Sequence, residues 1–155
     1  METFKKCRFI LDNLRKEDLL EIECLWGNNW KQKVLNSIDK KKVLFAYGRD
    51  KYGNIIPISM GGFHDIPCEH FKVACVWLLS TKYISMNKIR FFKELRTQFF
   101  LYEKNYEILY NYIYKTNIDA KRWLKKLGFC FDNPKPANLK ISENFEFFYK
   151  NRKEF

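Results

Sequence analysis

Residues 64–75 hold both histidines of this sequence together with four further side chains that could bind a metal or move a proton: His64, Asp65, Cys68, Glu69, His70 and Cys75. His64, Cys68, His70 and Cys75 are zinc-ligand types. Their spacing matches neither the paired CxxC nor the HxxxH arrangement that closes a tetrahedral site, and Cys75 falls inside an apolar run that reads as a strand. The five cysteines (Cys7, Cys24, Cys68, Cys75, Cys130) are an odd set without CxxC, so they read as free, mostly buried thiols and not as a disulfide framework. The other chemically pointed groups are basic. Lys121, Arg122, Lys125 and Lys126 pair at i,i+4 on one helix, and Lys40-Lys41-Lys42 sits between two elements. Neither has the interleaved aromatics of a β surface that stacks bases, so both read first as solvated faces and second as a nucleic-acid contact.

The elements that must position these residues belong to a chain of 155 residues with 29 Lys+Arg and 18 Asp+Glu, a formal net charge of +11. Hydrophobic residues make up 46% and aromatics 18%, enough burial capacity to exclude a disordered chain. The length suits one domain over residues 1–155. No apolar stretch is long enough to span a bilayer, and no signal-peptide core follows Met1–Lys6, so the expectation is a cytoplasmic protein without a membrane span. The positive excess favours anionic company: cofactor phosphates, nucleic acid or acidic proteins.

Cys7–Leu11 reads as a short strand. Residues 14–26 follow as a helix stopped by Gly27, and a second helix starts near Asn28-Asn29 as its cap and runs to Ile38. Lys42–Tyr47 and Ile55–Phe63 read as a hairpin around Arg49–Asn54, with Gly53 and Asn54 as positive-φ candidates and Gly61-Gly62 closing the second strand. Phe71–Ser80 is the most continuous apolar strand and is expected to be central and buried on both faces. A helix from Met86 to Lys104, capped by Ser85, carries the stripe Ile89, Phe92, Leu95, Phe99, Tyr102. Glu107–Tyr114 is a strand, and Asn117–Leu127 a helix ending at Gly128. Phe129–Phe131 is a short strand, 132–136 a loop and Glu143–Lys150 a last strand. The fold class is mixed α/β: a central mixed sheet of about seven strands flanked by about four helices.

That order, with Asn117-Ile118-Asp119-Ala120 leading into Lys125-Lys126-Leu127-Gly128-Phe129, resembles the GNAT superfamily of acyl-CoA N-acyltransferases. Arg8 in the first strand, Lys16-Glu17-Asp18 at the first helix and the hairpin before the central strand extend the resemblance over nearly the whole chain. Val76–Thr81 and Arg122–Phe129 are similar to GNAT-like internal virion proteins and acyltransferases of short-tailed phages. The resemblance implies acetyl-CoA as cofactor, held between Val73–Ser80 and Glu107–Tyr114, with Leu78, Leu79, Ser80, Thr81, Ser85 and Asn117 as its contacts. It implies a base among His64, Asp65, Glu69, His70 and Glu107, of which Glu69 and His70 are preferred, and a tyrosine acid, for which Tyr110, Tyr112 and Tyr114 are candidates and Tyr112 is chosen.

Two departures stand against that pattern. Residues 80–88 contain no glycine where the family closes its backbone on the pyrophosphate; only Ser80, Thr81, Ser85, Lys82 and Lys88 could meet an anion there. Leu124 occupies the position of the usual general-acid tyrosine, with Trp123 beside it. The functional expectation is therefore a phage-type GNAT-fold protein with a degenerate acetyl-CoA site, located in the host cytoplasm or a virion, with virion or host proteins as partners. The alternatives are an active N-acyltransferase acting on a primary amine, and a basic nucleic-acid-associated module.

Overall fold

Phe4, Cys7, Ile10 and Leu11 recur every three or four residues, so they share one face of a helix and not alternate faces of a strand. In the computed structural model, which describes residues 1–131 and 144–153, they lie on helix α1 (Thr3–Asp12), with Cys7, Ile10 and Leu11 buried. This corrects the expected first strand and moves Arg8 onto a helix. Helix α2 (Lys16–Trp26) ends at Gly27, which takes φ 66° as a chain-reversing glycine should. Helix α3 (Trp30–Ser37) follows Asn29, whose φ of 59° is left-handed and whose side chain makes no cap bond.

Strands β1 (Leu44–Arg49) and β2 (Ile55–Ile66) are antiparallel. Asp50 Oδ1 accepts from the Tyr52 and Asn54 amides, both at 2.9 Å, and Gly53 takes φ 84° while Asn54 does not leave the negative-φ range. β2 runs straight through Gly61-Gly62, so the glycines do not close it. Ala46 pairs Ser59 and Tyr47 pairs Pro57, which leaves Ile58 as the extra residue of a bulge. Proline lacks a ladder donor, and a bulge is where a strand tolerates it.

Strand β3 (Val73–Ser80) buries Ala74 and Val76 but leaves Cys75, Trp77, Leu78 and Leu79 half-buried, so burial on both faces is not found. A 3₁₀ turn (Lys82–Met86) precedes helix α4 (Lys88–Glu103). The buried side of α4 is marked by Phe91 and Phe99, whereas Ile89 is 77% exposed, so the stripe is rotated from the expected one. Ser85 is not a cap; its hydroxyl donates to the Lys82 carbonyl at 3.1 Å inside the 3₁₀ turn. Strand β4 (Ile108–Tyr114), helix α5 (Ile118–Lys126), strand β5 (Cys130–Phe131) and strand β6 (Phe145–Asn151) complete the described elements, with Gly128 at φ 92° after α5. The expected loop over 132–136 and the start of the last strand at Glu143 lie outside the described residues.

The strands hydrogen-bond in the order β1-β2-β3-β4-β6-β5. β3–β4 is parallel, while β1–β2, β4–β6 and β5–β6 are antiparallel, so the sheet is mixed. The described residues form six strands and five α-helices; the missing seventh strand is α1.

The chain divides into two compact units: Met1–Gly62 with Leu78–Leu95, and Phe63–Trp77 with Arg96–Phe155. The first is built on Ile10, Ile58, Met60 and Phe91, none of which reaches solvent. The second is built on Leu109 and a chain of rings. Phe99 lies 5.7 Å from Phe63 and 5.5 Å from Phe129, and Phe129 meets Phe148 edge-on at 5.2 Å. Of the thiols, only Cys7 is buried; Cys24, Cys68 and Cys130 are exposed and Cys75 is half-buried, which corrects the expectation of mostly buried cysteines. No described helix is long and apolar enough to cross a membrane.

Candidate functional site

In the first unit, a buried network fixes the end of β3. Asp18 lies in the first turn of α2, where the helix dipole favours an acid. Its Oδ1 receives Arg15 Nη2 at 2.8 Å, and its Oδ2 receives the Ser80 amide at 2.7 Å. The Arg15 amide in turn donates to the Ser80 carbonyl at 2.9 Å, and Leu14 bridges Thr81. Burial pushes the Asp18 carboxyl above its ordinary range, and the Arg15 guanidinium with the Ser80 N–H pulls back.

The bulge supplies the next contact. The Ile58 carbonyl, displaced from the β1 ladder, accepts both the Thr81 amide at 2.8 Å and the Thr81 hydroxyl at 2.9 Å. The Ser80 and Ser59 hydroxyls share a bond at 3.0 Å, and Ser59 also donates to the Leu79 carbonyl. Ser80 and Thr81 are fully buried. Their hydroxyls are bonded inside the unit, to Ser59 and to the Ile58 carbonyl.

The stretch after Thr81 is likewise closed by packing. Ile84 is buried, and the Tyr83 ring stacks on Phe9 at 6.2 Å. Asn87 then ties the start of α4 to β1: its Nδ2 donates to the Arg49 and Tyr83 carbonyls, and its Oδ1 accepts the Arg49 amide. A Cβ on Gly48 would come within 2.7 Å of the Asn87 side chain, so any other residue there must push that side chain aside. Residues 80–87 contain no glycine, and Ser80, Thr81 and Ile84 among them are buried.

In the second unit, the parallel β3–β4 ladder holds three pairs, Val73–Ile108, Ala74–Leu109 and Cys75–Tyr110. At the next step the Asn111 side chain replaces the backbone, its Nδ2 donating to the Val76 carbonyl at 2.6 Å. β4 pairs with β6 along its whole length instead. On one face of this part of the sheet stand Cys75, Tyr110, Tyr112, Phe147 and Tyr149, all half-buried, with the Tyr112 and Phe147 rings 5.2 Å apart. Burial pushes the Cys75 thiol up to about 11 and raises both the Tyr110 and Tyr112 phenols. All three hold their protons at neutral pH.

The remaining expected residues scatter. Glu69 and His70 lie on the exposed β2–β3 connection, 4.0 Å apart and 90% and 78% exposed at the side chain. Asp65 takes the Tyr106 hydroxyl at 2.5 Å, and Glu107 pairs with Lys153 at 3.2 Å. Ser85 is exposed, Leu78 and Leu79 are half-buried on β3, and Asn117 is buried before α5, where its amide donates to the Tyr114 carbonyl at 2.9 Å. Leu124, at the acid position, is half-buried on α5. The described residues contain no cluster of three metal-ligand side chains. Sequence reasoning missed Asp18 as a buried tether and Asn111 as the residue that ends the ladder; only Asp18, an acid in a first turn after Arg15, carries a local signal.

No family model and no curated protein sequence matches the chain. Solved structures do. A Pyrococcus horikoshii protein superposes with a TM-score of 0.63 at 16% identity, covering 95% of this chain and 91% of its own. A GNAT-family acetyltransferase of Bacillus anthracis gives 0.62 at 12% identity, with 97% and 92% covered. A spermidine N-acetyltransferase chimera from Vibrio cholerae and hSSAT gives 0.56 at 13%, with 96% and 91% covered. With the three-pair parallel ladder and the mixed six-strand sheet, these likenesses show that the chain has the fold of the GNAT acetyltransferases.

Proposed function

We propose that this chain is a GNAT-fold protein whose acetyl-CoA site is degenerate at its phosphate end, and that it works through its surface toward virion or host proteins. The observation that carries the reading is the filled turn after β3. Ser80 and Thr81 are bonded inward, Ile84 is buried and Tyr83 is stacked, where an open backbone would be required. Opening that turn for a pyrophosphate would expose Ile84 and break buried bonds worth about 1 kcal/mol each. The place in a phage particle comes from the similarity of Val76–Thr81 and Arg122–Phe129 to phage internal proteins, and mass spectrometry of purified particles is its measurement.

A second reading, acetyl transfer to a primary amine, is favoured by the protonated Tyr110 and Tyr112 beside the end of the β3–β4 ladder. One titration separates the two. With acetyl-CoA in the calorimeter and desulfo-CoA as control, the degenerate site predicts no saturable heat at millimolar cofactor. Micromolar binding would overturn it, and loss of turnover in Tyr112→Phe would then support the second reading.

A further inference from the structure

Four cations crowd one pocket of the second unit, and the fold accounts for only two of them. The pocket, about 280 Å³, lies where β3 and β4 begin and β6 ends, and Lys72, Lys104, Tyr106, Glu107, Arg152 and Lys153 line it. Its frame is backbone. The Glu107 and Ile108 amides donate to the Lys72 carbonyl at 2.7 and 3.2 Å, and the Arg152 amide donates to the Glu107 carbonyl at 2.8 Å.

Arg152 Nη1 donates to the Glu103 and Tyr106 carbonyls at 2.6 and 3.0 Å, which satisfies the end of α4. Lys153 is neutralised by Glu107 at 3.2 Å and lies over the Phe71 ring at 5.0 Å. Asp65, the nearby acid, is held by the Tyr106 hydroxyl. Lys72 and Lys104 are exposed, and their ammonium groups have, among the described residues, no hydrogen-bond or ionic partner. Two unneutralised ammonium groups beside a fixed guanidinium repel one another, and nothing in the packing needs them there.

We propose that this pocket binds a compact phosphate-type anion, a pyrophosphate or a phosphomonoester. Lys72 and Lys104 supply point charges on mobile stems, and Arg152, already anchored through one nitrogen, presents a planar fork suited to phosphate oxygens. Lys72 is three residues from Cys75, so this site is roughly 10 Å along the chain from the end of the β3–β4 ladder. It is separate from the turn considered above and does not depend on acetyl-CoA binding.

The test is calorimetry of the full chain at low salt with inorganic pyrophosphate in one arm and glycerol 3-phosphate in the other. Saturable one-site binding is expected, and the tighter arm identifies the source of the phosphate. The double variant Lys72→Gln/Lys104→Gln, whose altered side chains hold no structural contact, should weaken it by at least about tenfold. Arg122→Gln/Lys125→Gln on α5 should leave it unchanged. Absence of saturable binding, or equal weakening in the α5 variant, would overturn the proposal. So would binding of a single-stranded oligonucleotide alone with a steep salt dependence, which would mark the charges as an extended nucleic-acid surface.

Discussion

Tyr106 shows how one side chain can report on the fold that holds it. Its phenol is pushed up to about 12 by burial first and by the Asp65 carboxylate it bonds second. The folded chain therefore grips this proton more tightly than the unfolded chain does. The resulting stabilisation is complete below about pH 10 and is lost as the pH rises to about 12. The melting temperature should fall more steeply across that interval in the native protein than in Tyr106→Phe, measured by circular dichroism at matched ionic strength. Parallel curves would mean that neither the burial of the phenol nor its Asp65 contact survives in solution. Burial raises the Asp18 carboxyl as well, while Arg15 and the Ser80 amide, one on each oxygen, pull it back.

Among the elements, β1 and the start of α4 meet at Asn87, which bonds Arg49 and lies against Gly48. Gly48→Ala places a methyl group against the Asn87 side chain, which must give up its bonds to Arg49 and Tyr83. Each such bond contributes about 1 kcal/mol, so chemical denaturation should show a loss of about 2–3 kcal/mol. A variant within a few tenths of the native value would show that Asn87 has another rotamer open to it. The same scale explains what was legible beforehand. Most helices and strands after Asp12 were readable because period and punctuation agree there: Gly27, Gly53 and Gly128 take the positive φ that their positions suggest. Cys7–Leu11 misled because four apolar residues around Arg8 fit either period, and Phe4 decides for the helix only when the window is widened. Gly61-Gly62 misled because glycine breaks strands by weak local preference, and pairing with β1 outweighs it. The candidate site was less legible than the fold. Whether Ser80 and Thr81 face solvent depends on a bulge at Ile58, about twenty residues earlier, and no local pattern encodes that partner.

At the level of the molecule, the +11 charge is less available than the sequence suggests. Lys121 is paired to Glu146 at 2.9 Å, Lys150 to Glu103 at 2.7 Å, and Lys125 lies over the Phe131 ring at 5.8 Å. The basic stretch of α5 is thus partly spent inside the second unit, which weakens its reading as a nucleic-acid face. The distribution of thiols has a practical consequence of its own. Cys24 belongs to the first unit, Cys68 and Cys130 to the second, and all three are exposed, while Cys7 is buried and the Cys75 thiol is raised to about 11. A maleimide at neutral pH should therefore modify three positions quickly and two slowly, as intact-mass spectrometry would count. The protein carries, without engineering, attachment points for a donor and an acceptor dye on its two halves, so energy transfer between them can follow whether those halves move when an anion is added.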